Sequence, residues 1–328
     1  MKFCGRRQFL RLAAGVAALP AVSRFARAQA YPTRPVRMIV PLSAGSASDI
    51  LARQLATKMS ESWGQPVVVE NRPGAGTTMG TDAVAKAAPD GHTLLINSAA
   101  FAASAAIYSK LPYDPIKDLI PISQVATAPI IVVAAPSLGA RSIKDLVELG
   151  QKRKPGEFSF GSAGVGSSTH FAGEQFKLAA GLNAVHVPYK GPSEALLDTM
   201  TGRIQYSLSP ILPAMPFVKD GKLLALGVTT AHRSPMLKEV STVAEAGLTG
   251  FEYQDWWGVF APARTAPVVV DKIGREIVRV LQFADIQNQL LTQGAEAHPS
   301  LPSEFANFVR IKIDGARQVA ASAKIRVD

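Results

Sequence analysis

The chain has 328 residues, 47% of them hydrophobic, a length and composition that favour two domains over one and supply ordinary packed cores. Its formal net charge is +10, but Lys2, Arg6, Arg7, Arg11, Arg24 and Arg27 supply six of those charges with no acid among them, leaving +4 for the remainder. That mild excess, without a Lys/Arg block interleaved with aromatics, argues against nucleic acid as a partner. The single cysteine, Cys4, lies in the same basic stretch, so disulfides and zinc–thiolate sites are excluded from everything after it.

The first 28 residues read as a twin-arginine export signal rather than as fold. Arg6-Arg7-Gln8-Phe9-Leu10 precedes an apolar run from Leu12 to Val22 that is too short to span a bilayer. Small-x-small cleavage sites follow at Ala26-Arg27-Ala28, before Gln29, and at Ala28-Gln29-Ala30, before Tyr31. The expected location of the mature chain is the periplasm.

Strands and helices then alternate, which predicts an α/β fold with mostly parallel sheets. Val36–Val40 is a strand and Asp49–Ser62 a helix with Ile50, Leu51, Leu55 and Met59 on one face. Pro66–Glu70 is a second strand, followed by a turn-rich loop and a helix near Thr78–Ala87. Thr93–Ile96 is a third, ending in the small polar residues Asn97-Ser98. Leu111–Leu119 reads as a connection and Ile130–Ala134 as a strand crossing into a second lobe. Ser142 caps a helix to about Lys152, Phe158–Phe160 leads into a glycine-rich loop, and Phe171–Ala180 continues the helix after it. Val185–Val187, Ile204–Leu208 and Leu223–Val228 are strands, with a helix over Ser193–Met200 and a proline-rich stretch over Ser209–Pro216. Phe251–Phe260 returns to the first lobe, and Pro267–Phe283 and Pro302–Ala321 are amphipathic helices. The lobes are therefore expected at 29–128 with 253–328, and at 129–252, joined by two crossings that make a hinge.

Two loops carry the candidate chemistry. Leu42-Ser-Ala-Gly-Ser-Ala-Ser-Asp49 and Ser162-Ala-Gly-Val-Gly-Ser-Ser-Thr-His170 each run from a strand into a helix start, where unpaired N–H groups and the positive end of the helix dipole suit an anion. The second loop lacks a lysine at Ser167, which a phosphate-binding P-loop needs, and a third glycine at Thr169, which a dinucleotide fingerprint needs. It reads either as a capped strand-to-helix loop or as an anion seat. There is no Gly-x-Ser-x-Gly or His-Glu-x-x-His motif, and the five histidines are dispersed without metal-ligand spacing. On consecutive strand positions Trp256 and Trp257 point to opposite faces, so either both are core or one lines a cleft. Lys190 is a solvated loop charge or a partner for an acid.

Beyond the leader, nearly the whole chain resembles the extracytoplasmic solute receptors of the tripartite tricarboxylate transporter family, also called the Bug family. The matching segments, in order, are Tyr31-Pro-Thr-Arg-Pro-Val-Arg-Met-Ile-Val-Pro41, Gly64-Gln-Pro-Val-Val-Val-Glu-Asn-Arg-Pro-Gly-Ala-Gly76, Ala88-Pro-Asp-Gly91 and Leu111-Pro-Tyr-Asp114. They continue with Gly161 to His170, Val185-His-Val-Pro-Tyr-Lys-Gly191, Thr242-Val-Ala-Glu-Ala-Gly247 and Phe260-Ala-Pro262. The resemblance implies a two-lobed periplasmic-binding-protein fold, type II-like, that closes on a small carboxylate held largely by backbone amides and hydroxyls. It places ligand contacts at Leu42, Ala44, Gly45, Ser46, Ser48 and Asp49, with Asp49 secondary as a direct ligand, and at Ser162, Ala163, Ser167, Ser168, Thr169 and His170. Ser98, Tyr189, Ser209 and Trp256 complete the expected set. The chain departs from the family pattern at Leu42, Ser43 and Ser46, and has Ser209-Pro210 where many members carry Asp-Asn, which favours a plain organic acid over an amine-bearing ligand.

The resulting expectation is a non-enzymatic, monomeric receptor without cofactor or metal, whose partners are a small organic carboxylate and membrane transporter subunits. A ligand-sensing subunit for a membrane signalling protein, and an enzyme using His170 as base, are the alternatives.

Overall fold

A run of β-branched residues at Val36–Val40 (β1) passes through a small-residue loop into helix α1 (Ala47–Trp63), and this strand-to-helix unit recurs through the fold. The computed structural model describes residues 31–327. The leader expected over residues 1–28, with its paired arginines and cleavage sites, lies outside the described residues.

After α1 come β2 (Val67–Asn71), α2 (Thr78–Ala85), β3 (Thr93–Ser98) and α3 (Ala100–Ile107). Strand β4 (Leu119–Ala134) leads to α4 (Ile143–Gln151), β5 (Ser159–Ser162), α5 (Ser168–Ala179), β6 (Val185–Pro188) and α6 (Pro192–Met200). Then follow β7 (Tyr206–Pro210), α7 (Ile211–Lys219), β8 (Leu224–Val228) and β9 (Gln254–Pro262). Helices α8 (Pro267–Leu281) and α9 (Ala284–Thr292), the short β10 (Glu296–Ala297) and α10 (Pro302–Ala323) close the chain. The ten described strands order as β2-β1-β3-β9-β4-β7-β5-β6, with β8 and β10 pairing on β4.

The sheet is mixed rather than mostly parallel. β1 pairs parallel with β2 and β3, and β5 pairs parallel with β6 and β7. Between these groups β4 and β9 run antiparallel, from Leu119 opposite Pro262 to Pro129 opposite Gln254. β4 is a single strand of 16 residues, about 50 Å long, of which the expected Ile130–Ala134 is only the last part. Its first part hid behind Pro121, Ser123, Gln124 and Pro129, which break the apolar run. Beyond Pro129 the strand exchanges β9 for β7 and β8.

Side chains of the central strands part to opposite faces. Met38, Leu94 and Trp257 pack with Leu51, Leu55 and Met59 of α1 and Ile273 and Ile277 of α8, while Ile39, Leu95 and Trp256 pack with Phe101 of α3 and Phe305, Val309 and Ile313 of α10. The second lobe has the same three layers. Val132, Phe158, Phe160, Phe176 and Tyr206 fill one face, and Ile131, Val133, Leu196, Ile211 and Val228 the other. Both tryptophans are therefore core.

Three helices depart from the expected elements. α3 is alanine-rich and apolar around most of its circumference, so it shows no amphipathic period. α7 replaces the proline-rich irregular stretch, with Pro213 in its first turn, where an N–H would find no intrahelical acceptor, and Pro216 inside. α9 is a short additional helix between α8 and the β10 bridge.

Gly258 of β9 leaves room for α10, since a Cβ there would overlap the Phe305 ring. Gly258→Ala should lower stability by about 1–3 kcal/mol through overpacking. Urea unfolding should show this, with partial recovery when Phe305→Leu is added.

Candidate functional site

Strand direction decides where ligand groups can gather. β3 runs antiparallel to β9, and β9 antiparallel to β4, so β1, β3 and β4 share a direction and the ends of β1 and β3 point into the second lobe. β7 runs antiparallel to β4 and β5 parallel to β7, so the ends of β5 and β7 point back at the first lobe. The carboxyl ends of both parallel groups thus face one cleft, and α1, α3, α5 and α7 all start there.

The first-lobe jaw is the turn before α1. The Ser46 N–H donates to the Ser43 carbonyl, and Gly45 takes a φ of +80°, a left-handed conformation that suits glycine. Ser46 is the N-cap, its Oγ accepting from the Asp49 N–H at 3.3 Å. Asp49 is buried and acts inside the loop. Its carboxylate accepts from the Gly45 N–H at 2.9 Å, Asn71 Nδ2 at 2.9 Å, and Arg53 Nε and Nη2 at 3.0 Å each. Burial works to raise its pKa, but the bonds from Arg53, Gly45 and Asn71 outweigh it and hold the carboxyl below the usual range. The Gly45 amide and the Asp49 acid are thus taken by each other. Asn71 also donates to the Leu42 carbonyl at 3.0 Å. What remains open is the first turn of α1, where the N–H groups of Ala47 and Ser48 precede any intrahelical acceptor. The Ser48 hydroxyl, on a residue only 1% exposed, has no partner among the described residues. Ala44 is exposed in the turn. Ser98, at the end of β3, accepts from the N–H of Ala100, the first residue of α3, at 3.3 Å.

The second-lobe jaw is more tightly knotted. Ser167 is the N-cap of α5, accepting from the His170 N–H at 3.2 Å and donating to the Gly164 carbonyl at 2.7 Å. Thr169 Oγ1 accepts from the Ala163 N–H at 2.9 Å and lies 3.1 Å from Ser167 Oγ. Ser162 Oγ accepts from the Gly164 N–H and lies 2.6 Å from His186 Nε2. The His170 ring stacks on His186 at 3.8 Å, and its Nδ1 accepts from the Gly166 N–H at 3.2 Å, which puts the neutral proton on Nε2. His170 is therefore a loop-shaping residue, with the nitrogen a base would use already engaged. The Ser168 and Thr169 N–H groups, at the first turn of α5, are the open donors here.

Four further expected residues are engaged elsewhere. Tyr189 donates its hydroxyl to Asp198 at 2.8 Å. Ser209, fully buried at the end of β7, donates to the Pro210 carbonyl at 2.9 Å. Trp256 packs edge-on against Phe305 and Phe308, and borders a cavity of about 170 Å³ shared with Phe171 and Lys312 rather than with either jaw. Leu42 packs against the first-lobe core.

Sequence reasoning missed Asp255. It is half-buried on β9 between the lobes, its Oδ2 accepting from Ser168 Oγ at 3.0 Å and its Oδ1 from the Trp256 N–H at 3.0 Å. Burial pushes its carboxyl up to about 6, against the pull of hydrogen bonds from Ser168, Trp256 and Ala99. Its position beside the tryptophan pair was visible, but nothing local linked it to Ser168, 87 residues earlier. No group of three His, Cys, Asp or Glu side chains among the described residues could hold a metal, and no described helix is long and apolar enough to cross a membrane.

The family profile for the tripartite tricarboxylate transporter family receptor, TctC, matches residues 51–320. A UPF0065 protein from the tcbD-tcbE intergenic region of Pseudomonas sp. strain P51 is 38% identical over 309 residues, covering 93% of this chain and 91% of the relative. Among solved structures, R. palustris Rpa4515 with adipate is 32% identical with a TM-score of 0.77, covering 90% of this chain and 99% of that one. The periplasmic binding protein BugD is also 32% identical, with a TM-score of 0.73, covering 90% and 99%.

Burial, their mutual proximity and Lys177 push His170 down to about 3, and burial and Lys177 push His186 down to about 4, from the usual 6.5. The unfolded chain takes up these protons first as pH falls, so their contribution to stability is complete above about pH 6.5 and is lost on acidification toward 4. For His170 the loss approaches about 1.4 kcal/mol per pH unit. Melting temperature should drop between pH 7 and pH 5, and His170→Gln should shrink that drop.

Proposed function

The chain belongs to the tripartite tricarboxylate transporter receptor family, and from that premise we propose that it captures a small organic carboxylate between its lobes for delivery to membrane transporter subunits. The observation that carries this reading is the pair of open helix starts, α1 and α5, set on strand ends that point at one another. Each offers backbone N–H groups at the positive end of a helix. The α1 jaw adds the buried Ser48 hydroxyl, which has no partner among the described residues and whose burial is costly until something accepts from it. The adipate bound by the R. palustris relative supports the carboxylate class.

The donors are neutral. An acid seated on amides and a hydroxyl is held without desolvating a second charge. The chain acts as a monomer that returns its ligand unchanged, since the His170 nitrogen that would serve as base already accepts from Gly166. The twin-arginine leader directs it to the periplasm and is removed by cleavage before Gln29 or before Tyr31. The lobes divide at 29–128 with 253–328, and at 129–252, and the hinge lies in the two crossings between them.

Calorimetric titration of the mature protein against mono-, di- and tricarboxylates should give saturable one-to-one binding with the acid recovered intact. Absence of binding across the panel overturns the reading, and turnover of the bound acid overturns its non-enzymatic part. Ser48→Ala should weaken binding roughly 10- to 100-fold, the worth of a hydrogen bond to a charged group. Its melting temperature should stay level or rise, because an unsatisfied buried hydroxyl has been removed.

A further inference from the structure

Asp255 lies beside the start of α5. β3 ends at Ser98, which pairs with Trp257, so Asp255 lies two residues past the end of β3, in the gap between lobes. There it accepts from the hydroxyl of Ser168, the first residue of α5. The Ala99 N–H, at the start of α3, also donates toward the carboxyl. The chain's own acid therefore lies against the helix starts that bear on a ligand.

The two jaws differ in charge. Asp49 in the first is paired with Arg53 at 3.0 Å. Among the described residues no lysine or arginine forms an ion pair with Asp255, and its sequence neighbour Glu252 has the same sign. A ligand carboxylate on the Ser168 and Thr169 N–H groups would lie within a few ångströms of this charge and compete for the same serine hydroxyl. Resting on the receptor reading above, we infer that Asp255 is a specificity-determining residue that makes the cleft select acids with one carboxylate, seated at α1, over acids that need a second at α5. The part of the ligand facing Asp255 is then neutral, a hydrogen-bond donor such as a hydroxyl or an apolar body. Two like charges about 5 Å apart at an effective dielectric near 20 repel enough to give tens- to hundreds-fold discrimination.

The test uses matched pairs, hexanoate with adipate and benzoate with terephthalate, titrated at about pH 8 into wild type, Asp255→Asn and Ser168→Ala. Wild type should favour the monoacid of each bound pair at least tenfold. Asp255→Asn should bring the two acids within about threefold, chiefly by tightening the diacid, while Ser168→Ala, which keeps the charge, should retain the preference. A wild type that prefers diacids, or a folded Asp255→Asn with unchanged preference, overturns the inference and leaves the receptor reading standing. Failure of any of the four acids to bind any of the three proteins, together with failure of the wider carboxylate panel, removes the receptor reading and the inference with it.

Discussion

The antiparallel pairing of β4 with β9 is the constraint from which the rest of the architecture follows. Each strand passes from one lobe to the other, and because they run in opposite directions, a parallel group added to β9 and one added through β7 to β4 must end facing each other. The cleft is thus a consequence of strand polarity before any loop is considered. The ladder of this pair is also irregular. Its register shifts between Pro121 and Ser123 and again between Gln124 and Ala126, and Pro129, without an N–H, sits where β4 changes partners. The two shifts lie within the first-lobe core, and of these positions only Pro129 stands at a crossing between the lobes.

On this frame the two jaws use similar local chemistry. Each has a serine N-cap, Ser46 or Ser167, that closes on the N–H three residues ahead. Each has a buried side chain four residues after a glycine that accepts from that glycine's amide, Asp49 from Gly45 and His170 from Gly166. The acceptors hold the loops in shape and take up the amides that do not face the helix axis. They leave the first-turn N–H groups, whose alignment with the helix dipole makes them the better anion donors. Most hydroxyls of the second loop are engaged in holding it, which leaves the first-turn N–H groups of α5 as the open donors there.

How much of this could be read from the chain depended on distance in sequence. β1, α1 and the capped start at Ser142 were legible because period and cap chemistry are local signals, whereas which hydroxyl of the glycine-rich loop would be the cap was not. The first part of β4 was not, since its partner β9 lies more than a hundred residues later and its prolines mimic a loop. α3 showed no face because it packs apolar residues against both lobes, Phe101 in the first-lobe core and Ile107 beside Phe171 of α5. Within the site the small residues were visible, but their bonding was not. That Asp49 would be held by Asn71, or His170 by stacking on His186, depends on which strands lie side by side. Trp256 shows the limit of strand alternation, since both faces of β9 are covered by helices and both rings are core.

The two acids near the cleft show why charge must be read with its partners. Asp49 and Asp255 each accept backbone N–H groups near a helix start, a setting that favours a carboxylate. Arg53 and Asn71 complete the first, so it adds little field to the cleft and its titration range falls. The second is completed by a serine hydroxyl and amides, and burial wins, so its range rises. Dipoles satisfy hydrogen-bonding capacity but leave formal charge in place. The first jaw's acid is therefore neutralised within its own loop, while the acid beside the second makes no ion pair among the described residues.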